Sequence, residues 1–177
     1  MKILMRFSKA IWWLRLNLEK PLWGHIGQKC YLGRPAFISR AHNISFGNRV
    51  RVYPNARLEC GPDGHIKFGD NISVGPNINV TAYNAVEIGT GTTISANVFI
   101  TDMDHDTSDP GRSVMDTPNI LNETLIQENC FIGAGAVILA GTVLERGCVV
   151  AANSTVRGKF GPNQVIAGSP ANIIKAR

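Results

Sequence analysis

One histidine in this sequence lies among four acidic residues. His105 sits in the segment TDMDHDTSDPGRSVMD, where its acidic neighbours are Asp102, Asp104, Asp106 and Asp109. Histidine ionises near neutral pH, so it can take a proton from a hydroxyl group as a general base. A carboxylate in contact with the imidazole would orient the ring and stabilise its protonated form. The chemistry that this segment predicts is therefore acid–base catalysis at His105.

The same acidic segment begins like a calcium-binding loop but does not continue as one. Counted from Asp102, Thr107 stands where the sharp turn of such a loop needs glycine, and Ser113 stands where it needs a bidentate glutamate. The other histidines, at positions 25, 42 and 65, form no close pair. This spacing weakens a zinc site made mostly of imidazoles, although ligands from different subunits could still meet. We expect no bound metal.

The framework that must position His105 is a six-residue repeat. From Ile132 onward, every sixth residue is branched and apolar, at Ile132, Ile138, Leu144, Val150 and Val156. Three residues after each of the first four comes a residue that tolerates positive φ, at Gly135, Gly141, Gly147 and Asn153. This period is typical of a parallel β-helix, whereas an amphipathic α-helix spaces its apolar residues at three and four. The sequence therefore predicts an all-β coil with tight corners.

The repeat extends backwards through most of the chain, with interruptions. Its apolar positions are predicted at Leu32, Ile38, Ile44, Val50, Ala56, Ile66, Ile72, Ile78, Ile88, Ile94, Ile100 and Ile126. Its corners are predicted at Gly47, Gly69, Gly75, Gly91, Asn97 and Asn129. The longest interruption covers about 101–125, and long loops in compact domains are usually functional. We expect this loop to protrude from the coil and to carry the chemistry of His105.

Length and composition indicate a single repeat domain. The chain has 177 residues, 18 glycines and a formal net charge of +5. We divide it into an N-terminal amphipathic helix with its lead-in, residues 1–30, and a β-helix domain with a C-terminal tail, residues 31–177. The basic residues are scattered and not interleaved with aromatic residues, so nucleic acid is not an expected partner. Cys130 and Cys148 are expected to stack in successive coils as free thiols.

Residues 1–20 are predicted to form a short amphipathic helix that Pro21 stops. One face carries Ile3, Leu4, Phe7, Ile11, Leu14 and Leu18. The apolar run is too short and too charged to span a bilayer, and no small-residue cleavage site follows it. Two interpretations remain open. The helix either covers the open end of the coil or packs against another subunit, or else it lies on an anionic membrane through its tryptophans and basic residues.

Two segments resemble a known family. The C-terminal segment FIGAGAVILAGTVLERGCVVAANSTVRGKFGPNQVIAGSPANIIK is similar to the hexapeptide-repeat acyltransferases, in the branch of maltose, galactoside and nodulation-factor O-acetyltransferases. The segment ITDMDHD resembles the loop that bears the catalytic histidine of that branch. The resemblance implies a left-handed parallel β-helix, a homotrimer with active sites between adjacent subunits, and acetyl-CoA as co-substrate. It also implies that His105 deprotonates an acceptor hydroxyl for direct attack on the thioester.

The resemblance also assigns residues around the reaction. Asn79 and Asp104 are predicted to contact the acceptor. The residues predicted to hold acetyl-CoA are Ala134, Ala152, Arg157, Gly158, Lys159 and Lys175. The tripeptide at 157–159 departs from the Thr-Lys-Asp that is frequent in the family, which keeps positive charge but changes the phosphate contacts. Lys175 matches a basic residue near the nucleotide phosphates, where its charge is favourable.

The leading hypothesis is a cytoplasmic O-acetyltransferase that acts on a sugar hydroxyl in surface-polysaccharide or glycan biosynthesis. If the helix does lie on a membrane, residues 1–20 would place the enzyme at the inner face of that membrane. Two alternatives stay open at this point. A non-catalytic β-helix scaffold would neither bind acetyl-CoA nor depend on His105. A carbonic anhydrase-like zinc enzyme would need several imidazoles that converge on one ion.

Overall fold

The computed structural model describes the backbone of residues 2–177 and the side chains of residues 7–177. The chain begins with α1 (Lys2–Glu19) and a 3-10 helix (Lys20–Leu22), which confirms the predicted N-terminal helix. Within this described part of the chain, no helix has the length and apolar character needed to cross a bilayer. The side chains of Ile3 and Leu4, two members of the predicted apolar face, lie outside the described residues.

Short strands make up the rest of the chain. In chain order they are β1 (His25–Ile26), β2 (Tyr31–Leu32), β3 (Phe37–Ser39), β4 (Ile44–Phe46), β5 (Arg51–Val52), β6 (Arg57–Cys60), β7 (His65–Phe68), β8 (Ser73–Val74), β9 (Asn79–Ala82), β10 (Ala85–Ile88), β11 (Thr93–Ile94), β12 (Phe99–Thr101), β13 (Met103–His105), β14 (Asn119–Leu121), β15 (Thr124–Ile126), β16 (Phe131–Ile132), β17 (Val137–Ile138), β18 (Val143–Leu144), β19 (Val149–Val150), β20 (Thr155–Val156), β21 (Lys159–Phe160), β22 (Gln164–Gly168) and β23 (Ala171–Ala176). Two more 3-10 turns cover Ala41–Asn43 and Val114–Asp116.

Three parallel sheets form the faces of a coil. Face A consists of β1, β4, β7, β10, β15, β18 and β21, and face B of β2, β5, β8, β11, β16, β19, β22 and β23. Face C consists of β3, β6, β9, β12, β17 and β20. The chain visits the faces in the order A, B, C, so each coil adds one strand to each sheet. The terminal strand β23 pairs antiparallel with β22, and β13 and β14 form a separate antiparallel hairpin.

The core is a set of stacked side chains, one column behind each face. The column behind face B runs through Leu32, Val52, Val74, Ile94, Ile132, Val150 and Ile166, which lie in register on successive strands. All seven are buried. Behind face A, the rings of Phe46 and Phe68 meet edge to face with centroids 5.0 Å apart. Each coil thus buries its apolar residues against the coils directly before and after it.

The predicted period is confirmed, and its phase is correct at Leu32 and Ile38 but wrong from β4 to β9. Val50 and Ile72 are buried, yet the column of face B passes through Val52 and Val74, two residues later. The reason is that each repeat buries two residues, separated by one outward residue, so either can be taken for the column. The offset begins where two extra residues precede β4 and ends where two more precede β10.

The corners show the same offset. Positive φ occurs at the predicted late corners Gly135, Gly141, Gly147 and Asn153. In the early coils it occurs at Arg49, Asn71 and Asn77, not at the predicted Gly47, Gly69 and Gly75. These three glycines serve close approach between coils instead. A Cβ atom on Gly75, for example, would lie 2.6 Å from the amide nitrogen of Ala96 in the next coil.

The four cysteines are all free and buried, as predicted for Cys130 and Cys148. These two stack in neighbouring coils, because each lies two residues before a member of the face B column. Burial raises the pKa of the Cys130 thiol to about 11. The Cys148 thiol is also raised in pKa by burial, and it donates a hydrogen bond to the carbonyl of Gly161 at 3.1 Å.

Candidate functional site

The excursion at 101–125 is a β-hairpin that leaves the coil at the end of face C. Strand β13 follows β12 after a single residue and pairs antiparallel with β14, with His105 opposite Asn119. The chain returns to the coil at β15 of face A. The predicted protrusion is therefore confirmed, and hairpin pairing gives its base a defined shape. His105 ends β13, at the point where the paired part of the hairpin stops.

A buried aspartate fastens the base of the hairpin to the preceding coil. Asp102 is 0% exposed, and its carboxylate accepts hydrogen bonds from the backbone N–H groups of Tyr83 at 2.8 Å and Asn84 at 2.7 Å. Its own carbonyl accepts a hydrogen bond at 2.8 Å from the N–H of Asn122, directly after β14. Asp102 therefore positions the hairpin and does not orient His105.

The second acidic residue forms an ion pair with the coil. Asp104 Oδ2 lies 2.7 Å from Arg157 Nη2, and the two side chains are 29% and 53% exposed. Arg157 follows β20, so the contact ties β13 to the corner between faces C and A two coils further along. The resemblance to the O-acetyltransferases predicted that Asp104 contacts the acceptor and that Arg157 contacts the cofactor. In this structure they contact each other, and Asp104 lies next to His105 in the groove.

The remaining acids of the segment form local turns. Asp106 Oδ1 accepts a hydrogen bond from the N–H of Ser108 at 2.9 Å, which lowers the pKa of the Asp106 carboxyl. Asp109 Oδ1 accepts a hydrogen bond from the N–H of Gly111 at 2.9 Å. Within residues 7–177 of this single chain, no side chain forms a hydrogen bond or ion pair with the imidazole of His105. The ring is exposed and free to meet a ligand.

His105 borders an open groove on the outer side of face C. The groove has a volume of about 260 Å³ and is lined by Thr81, Phe99, Thr101, Met103, Asp104, His105 and Leu139. These residues come from three successive coils and from β13. Five of them were not identified from the sequence: Thr81, Phe99, Thr101, Met103 and Leu139. Their only signal is that they point outward at the end of face C, at positions that become neighbours when the coils stack.

Asn79 lies on the outer side of face C, on β9 and two residues before Thr81, which lines the groove. It is in register with Phe99, which lines the groove, and with Arg57 on the other side. Its side-chain oxygen is buried and has no hydrogen-bond partner. An unpaired buried acceptor is costly, so a donor from a ligand or from another copy of the chain would stabilise it. This is a physical reason to retain Asn79 as a candidate contact.

Ala134 and Ala152 stack on each other at the opposite end of face C. They lie in the corners before β17 and β20, and the carbonyl of Ala134 accepts a hydrogen bond from Asn153 at 2.9 Å. A Cβ atom on Gly133 would lie 2.5 Å from the nitrogen of Ala152, so the two corners pack closely. Among the described residues, the N–H groups of Ala134 and Ala152 donate to no protein atom. Exposed, unpaired amides beside small side chains suit a ligand with amide carbonyls, such as the pantetheine arm of a coenzyme A thioester.

The other predicted cofactor residues lie elsewhere. Gly158 has a φ of 114°, and its carbonyl accepts a hydrogen bond from Val143 at 2.9 Å. Lys159 follows on face A, and Lys175 is exposed on β23 opposite Val165. The six predicted cofactor residues therefore occupy both ends of face C, face A and the C-terminal strand. Besides the adjacent residues 157–159, the predicted cofactor residues that the structure brings together are Ala134 and Ala152.

Among the described residues, no three side chains of His, Cys, Asp or Glu lie close enough together to hold a metal ion.

Known proteins share this sequence pattern and this fold. The model of the family described as bacterial transferase hexapeptide (six repeats) matches residues 123–158. The lipopolysaccharide biosynthesis O-acetyl transferase candidate WbbJ of Escherichia coli (strain K12) is 36% identical over 152 residues, which are 80% of this chain and 76% of that protein. That level of identity over most of both chains shows common ancestry.

Two solved structures show the same architecture. AntD, an N-acyltransferase from Bacillus cereus bound to dTDP and 3-hydroxybutyryl-CoA, superposes with a TM-score of 0.81 at 21% identity, over 92% of this chain and 88% of that one. A galactoside acetyltransferase bound to coenzyme A superposes with a TM-score of 0.64 at 23% identity, over 92% of this chain and 69% of that one. The coil is thus the left-handed β-helix of acyltransferases. The repeat and the relatives agree: this chain belongs to the hexapeptide-repeat acyltransferase family, in its O-acetyltransferase branch.

Proposed function

We propose that the protein transfers an acetyl group from acetyl-CoA to a sugar hydroxyl, with His105 as the general base. The observation that carries the proposal is the place of His105, whose exposed imidazole borders the groove of face C and has no protein partner among residues 7–177. The O-acetyl transferase named above, at 36% identity, supports a hydroxyl acceptor. Because the name of that relative refers to lipopolysaccharide, we propose surface-polysaccharide or glycan biosynthesis as the pathway.

In this mechanism the acceptor hydroxyl lies in the groove within hydrogen-bonding distance of the imidazole. His105 takes the hydroxyl proton while the acceptor oxygen forms a bond to the acetyl carbonyl carbon. The carbon–sulfur bond then breaks, and the imidazolium returns its proton to the departing thiolate. A positioned base of this kind contributes roughly 10²- to 10⁴-fold to the rate.

Direct transfer, without an acyl-enzyme, fits the chemistry of this chain. All four cysteines are buried in the coil, and burial raises the pKa of the Cys60 and Cys130 thiols to about 11. A thiol in that state is a poor nucleophile at neutral pH. Two threonine hydroxyls also line the groove, but among residues 7–177 neither forms a hydrogen bond with the imidazole of His105. That ring is open to solvent, where the hydroxyl of an acceptor can reach it.

We propose that Asp104 and Arg157 act together to hold β13 in place. Their ion pair fixes the residue next to His105 against the coil, and precise placement of a catalytic group can be worth as much as the group itself. Asn79 is proposed to meet the acceptor, and Ala134 and Ala152 the pantetheine arm. Arg157, Gly158, Lys159 and Lys175 remain proposed contacts of the rest of acetyl-CoA.

We also propose that the enzyme is a cytoplasmic homotrimer with each site shared by two subunits. His105 and the Ala134–Ala152 pair lie at opposite ends of face C, and the groove is open to one side. A neighbouring copy placed along this face would cover the groove and offer its own alanine corner. Mixing His105→Ala protein with Ala152→Trp protein would then restore part of the activity that each variant lacks.

The decisive experiment is the transfer of labelled acetyl from acetyl-CoA to a panel of sugars, nucleotide sugars and lipid-linked oligosaccharides. Wild type is compared with His105→Ala, and His65→Ala on face A serves as the matched control, because His65 is also an exposed histidine. We expect transfer by wild type and by the control, and a loss of about 10²-fold or more in His105→Ala with acetyl-CoA binding retained.

Two results would contradict the proposal. Equal transfer by wild type and His105→Ala would remove the histidine from the mechanism. A wild-type protein that fails to bind acetyl-CoA in calorimetry would favour the scaffold alternative instead.

A further inference from the structure

The N-terminal helix covers the open end of the coil with the side opposite to its apolar stripe. Leu16 is 0% exposed and belongs to the same core as the coil residues. Arg15 donates hydrogen bonds from Nη2 to the carbonyl oxygens of Leu32 at 2.7 Å and Gly33 at 3.0 Å. These groups lie at the end of β2, so the helix is bonded to the first coil.

Aromatic contacts fix the same side of the helix further along. The ring of Trp12 lies 6.0 Å from that of Tyr31 and 6.4 Å from that of Tyr53, between centroids. The ammonium group of Lys9 lies over both tyrosine rings, at 5.5 Å and 5.3 Å. The orientation of the helix about its own axis is therefore set by packing.

This orientation turns the predicted apolar face away from the protein. The apolar stripe consists of Phe7, Ile11, Leu14, Leu18 and Leu22, whose side chains are 70%, 52%, 53%, 73% and 67% exposed. Positions 7, 11, 14 and 18 fall on one line of an α-helix, and Leu22 continues it in the 3-10 turn. A stripe of this kind on a helix already anchored by its other side marks an interaction surface.

Charge identifies the kind of partner. Residues 1–57 contain eleven of the 18 Lys and Arg residues and one of the 13 Asp and Glu residues, which gives a formal charge of +10. The remaining seven basic and twelve acidic residues give residues 58–177 a charge of −5. Because the coils stack in chain order, the positive charge is concentrated at the end of the molecule that carries the stripe.

We propose that the apolar stripe docks on an anionic lipid leaflet. An interfacial helix inserts its apolar side among the lipids while basic residues contact the headgroups, and both components are present at this end. Anionic headgroups neutralise the charge of +10 at this end, which the same end of a second copy does not do. The partner that fits both the apolar area and the charge is a bilayer surface.

Docking in this way has a geometric consequence for the reaction. The hairpin with His105 leaves the fourth coil, three strand spacings from the first, which is roughly 14 Å along the axis of the coil. The groove would thus face the aqueous layer near the lipid headgroups. If the proposed transfer is correct, this position favours acceptors that are linked to lipid.

The test is co-sedimentation of the full chain with vesicles of phosphatidylcholine alone and of phosphatidylcholine with phosphatidylglycerol. We expect binding to the anionic vesicles, weaker binding at high salt, and little binding to the neutral ones. The double variant Leu14→Glu/Leu18→Glu should lose at least about tenfold in affinity. Its side chains are exposed, so circular dichroism and thermal melting should match wild type. Ile174→Glu, an exposed apolar residue on β23 at the other end, is the matched control and should bind like wild type.

Three outcomes would overturn the proposal. The first is that wild type stays in the supernatant with anionic vesicles. The second is that the double variant binds these vesicles as well as wild type. Sedimentation velocity adds the third: if the wild type forms a larger assembly than the double variant and binds no vesicles, the stripe joins copies of the chain. Vesicle binding does not require catalysis, so its failure leaves the proposed transfer reaction intact.

Discussion

Two corners of the coil, both following a strand of face C, differ in what the chain does there. After β17 the chain turns directly into face A, and the hydroxyl of Thr142 donates to the carbonyl of Leu139 at 2.6 Å. After β12 the chain leaves for the hairpin, yet the hydroxyl of Thr124 donates to the carbonyl of Thr101 at 2.8 Å on its return. The same hydrogen bond closes a tight turn in one coil and spans an entire hairpin in the other.

This comparison shows how the scaffold accommodates chemistry. The coil needs the column residues Ile100 and Ile126 and the hydroxyl of Thr124, and the residues of a hairpin can be inserted between Thr101 and Thr124 without interrupting the sheets. Those residues are held instead by Asp102 and by the Asp104–Arg157 pair. Asp102 and Thr124 therefore serve both the coil and the hairpin, whereas the Asp104–Arg157 pair serves mainly the hairpin.

The largest effect is expected from the buried aspartate of the hairpin. Asp102→Ala leaves the N–H groups of Tyr83 and Asn84 without an acceptor, which should cost about 3 kcal/mol in the free energy of unfolding. It also releases the base of the hairpin, so kcat/KM should fall by roughly 10²-fold. Urea unfolding and acetyl transfer measure the two effects. Unchanged stability and activity would show that the hairpin is held by other contacts.

The ion pair should affect activity more than stability. Both side chains are partly exposed, so Arg157→Ala should change the free energy of unfolding by less than about 1 kcal/mol. We expect kcat to fall about tenfold, with a smaller change in the KM for acetyl-CoA, because the pair places His105. The exchange Asp104→Arg with Arg157→Asp should recover part of kcat. A rise in the KM for acetyl-CoA at constant kcat would show that Arg157 serves the cofactor alone and does not place His105.

The two threonines separate the corners most directly. Thr142→Val and Thr124→Val each remove a buried hydroxyl bond and should each cost about 1 kcal/mol in thermal or urea unfolding. Only Thr124→Val should also lower kcat/KM, by a few-fold, because only its corner carries the hairpin. If Thr142→Val reduced activity equally, the ordinary corner would belong to the site as well.

The smallest effect concerns the thiols of the regular coil. Burial raises the pKa of Cys130 to about 11, so the folded protein should resist iodoacetamide at pH 8 and react fully only in urea. In the unfolded chain the pKa of this thiol returns to its ordinary value of 9.0. Its contribution to stability is therefore lost as pH rises from 9.0 to about 11. Mass spectrometry after labelling measures the first effect. Rapid labelling of the folded chain would mean that the coil opens readily.

The sequence was sufficient to predict the elements with a local or periodic signal. The six-residue repeat, the late corners at Gly135 and Asn153, the N-terminal helix and the excursion with His105 are all visible in one dimension. It failed where an insertion shifted one coil against the next. The early columns were placed two residues away, because both Val50 and Val52 are buried and the sequence does not show which one stacks on Val74.

The period, and with it the coil, follows from the amino-acid sequence, because every repeat buries its residues against neighbours that follow the same rule. Contacts between residues far apart in the chain are visible only in the folded structure. These include the hydrogen bond from the Tyr83 N–H to the Asp102 carboxylate, the ion pair of Asp104 with Arg157, and the groove built from three coils. They include the side of α1 that covers the coil, because Leu16, Arg15 and Trp12 find partners there that outweigh the apolar stripe. Such contacts depend on which coils stack, and unequal insertions hide that from the sequence.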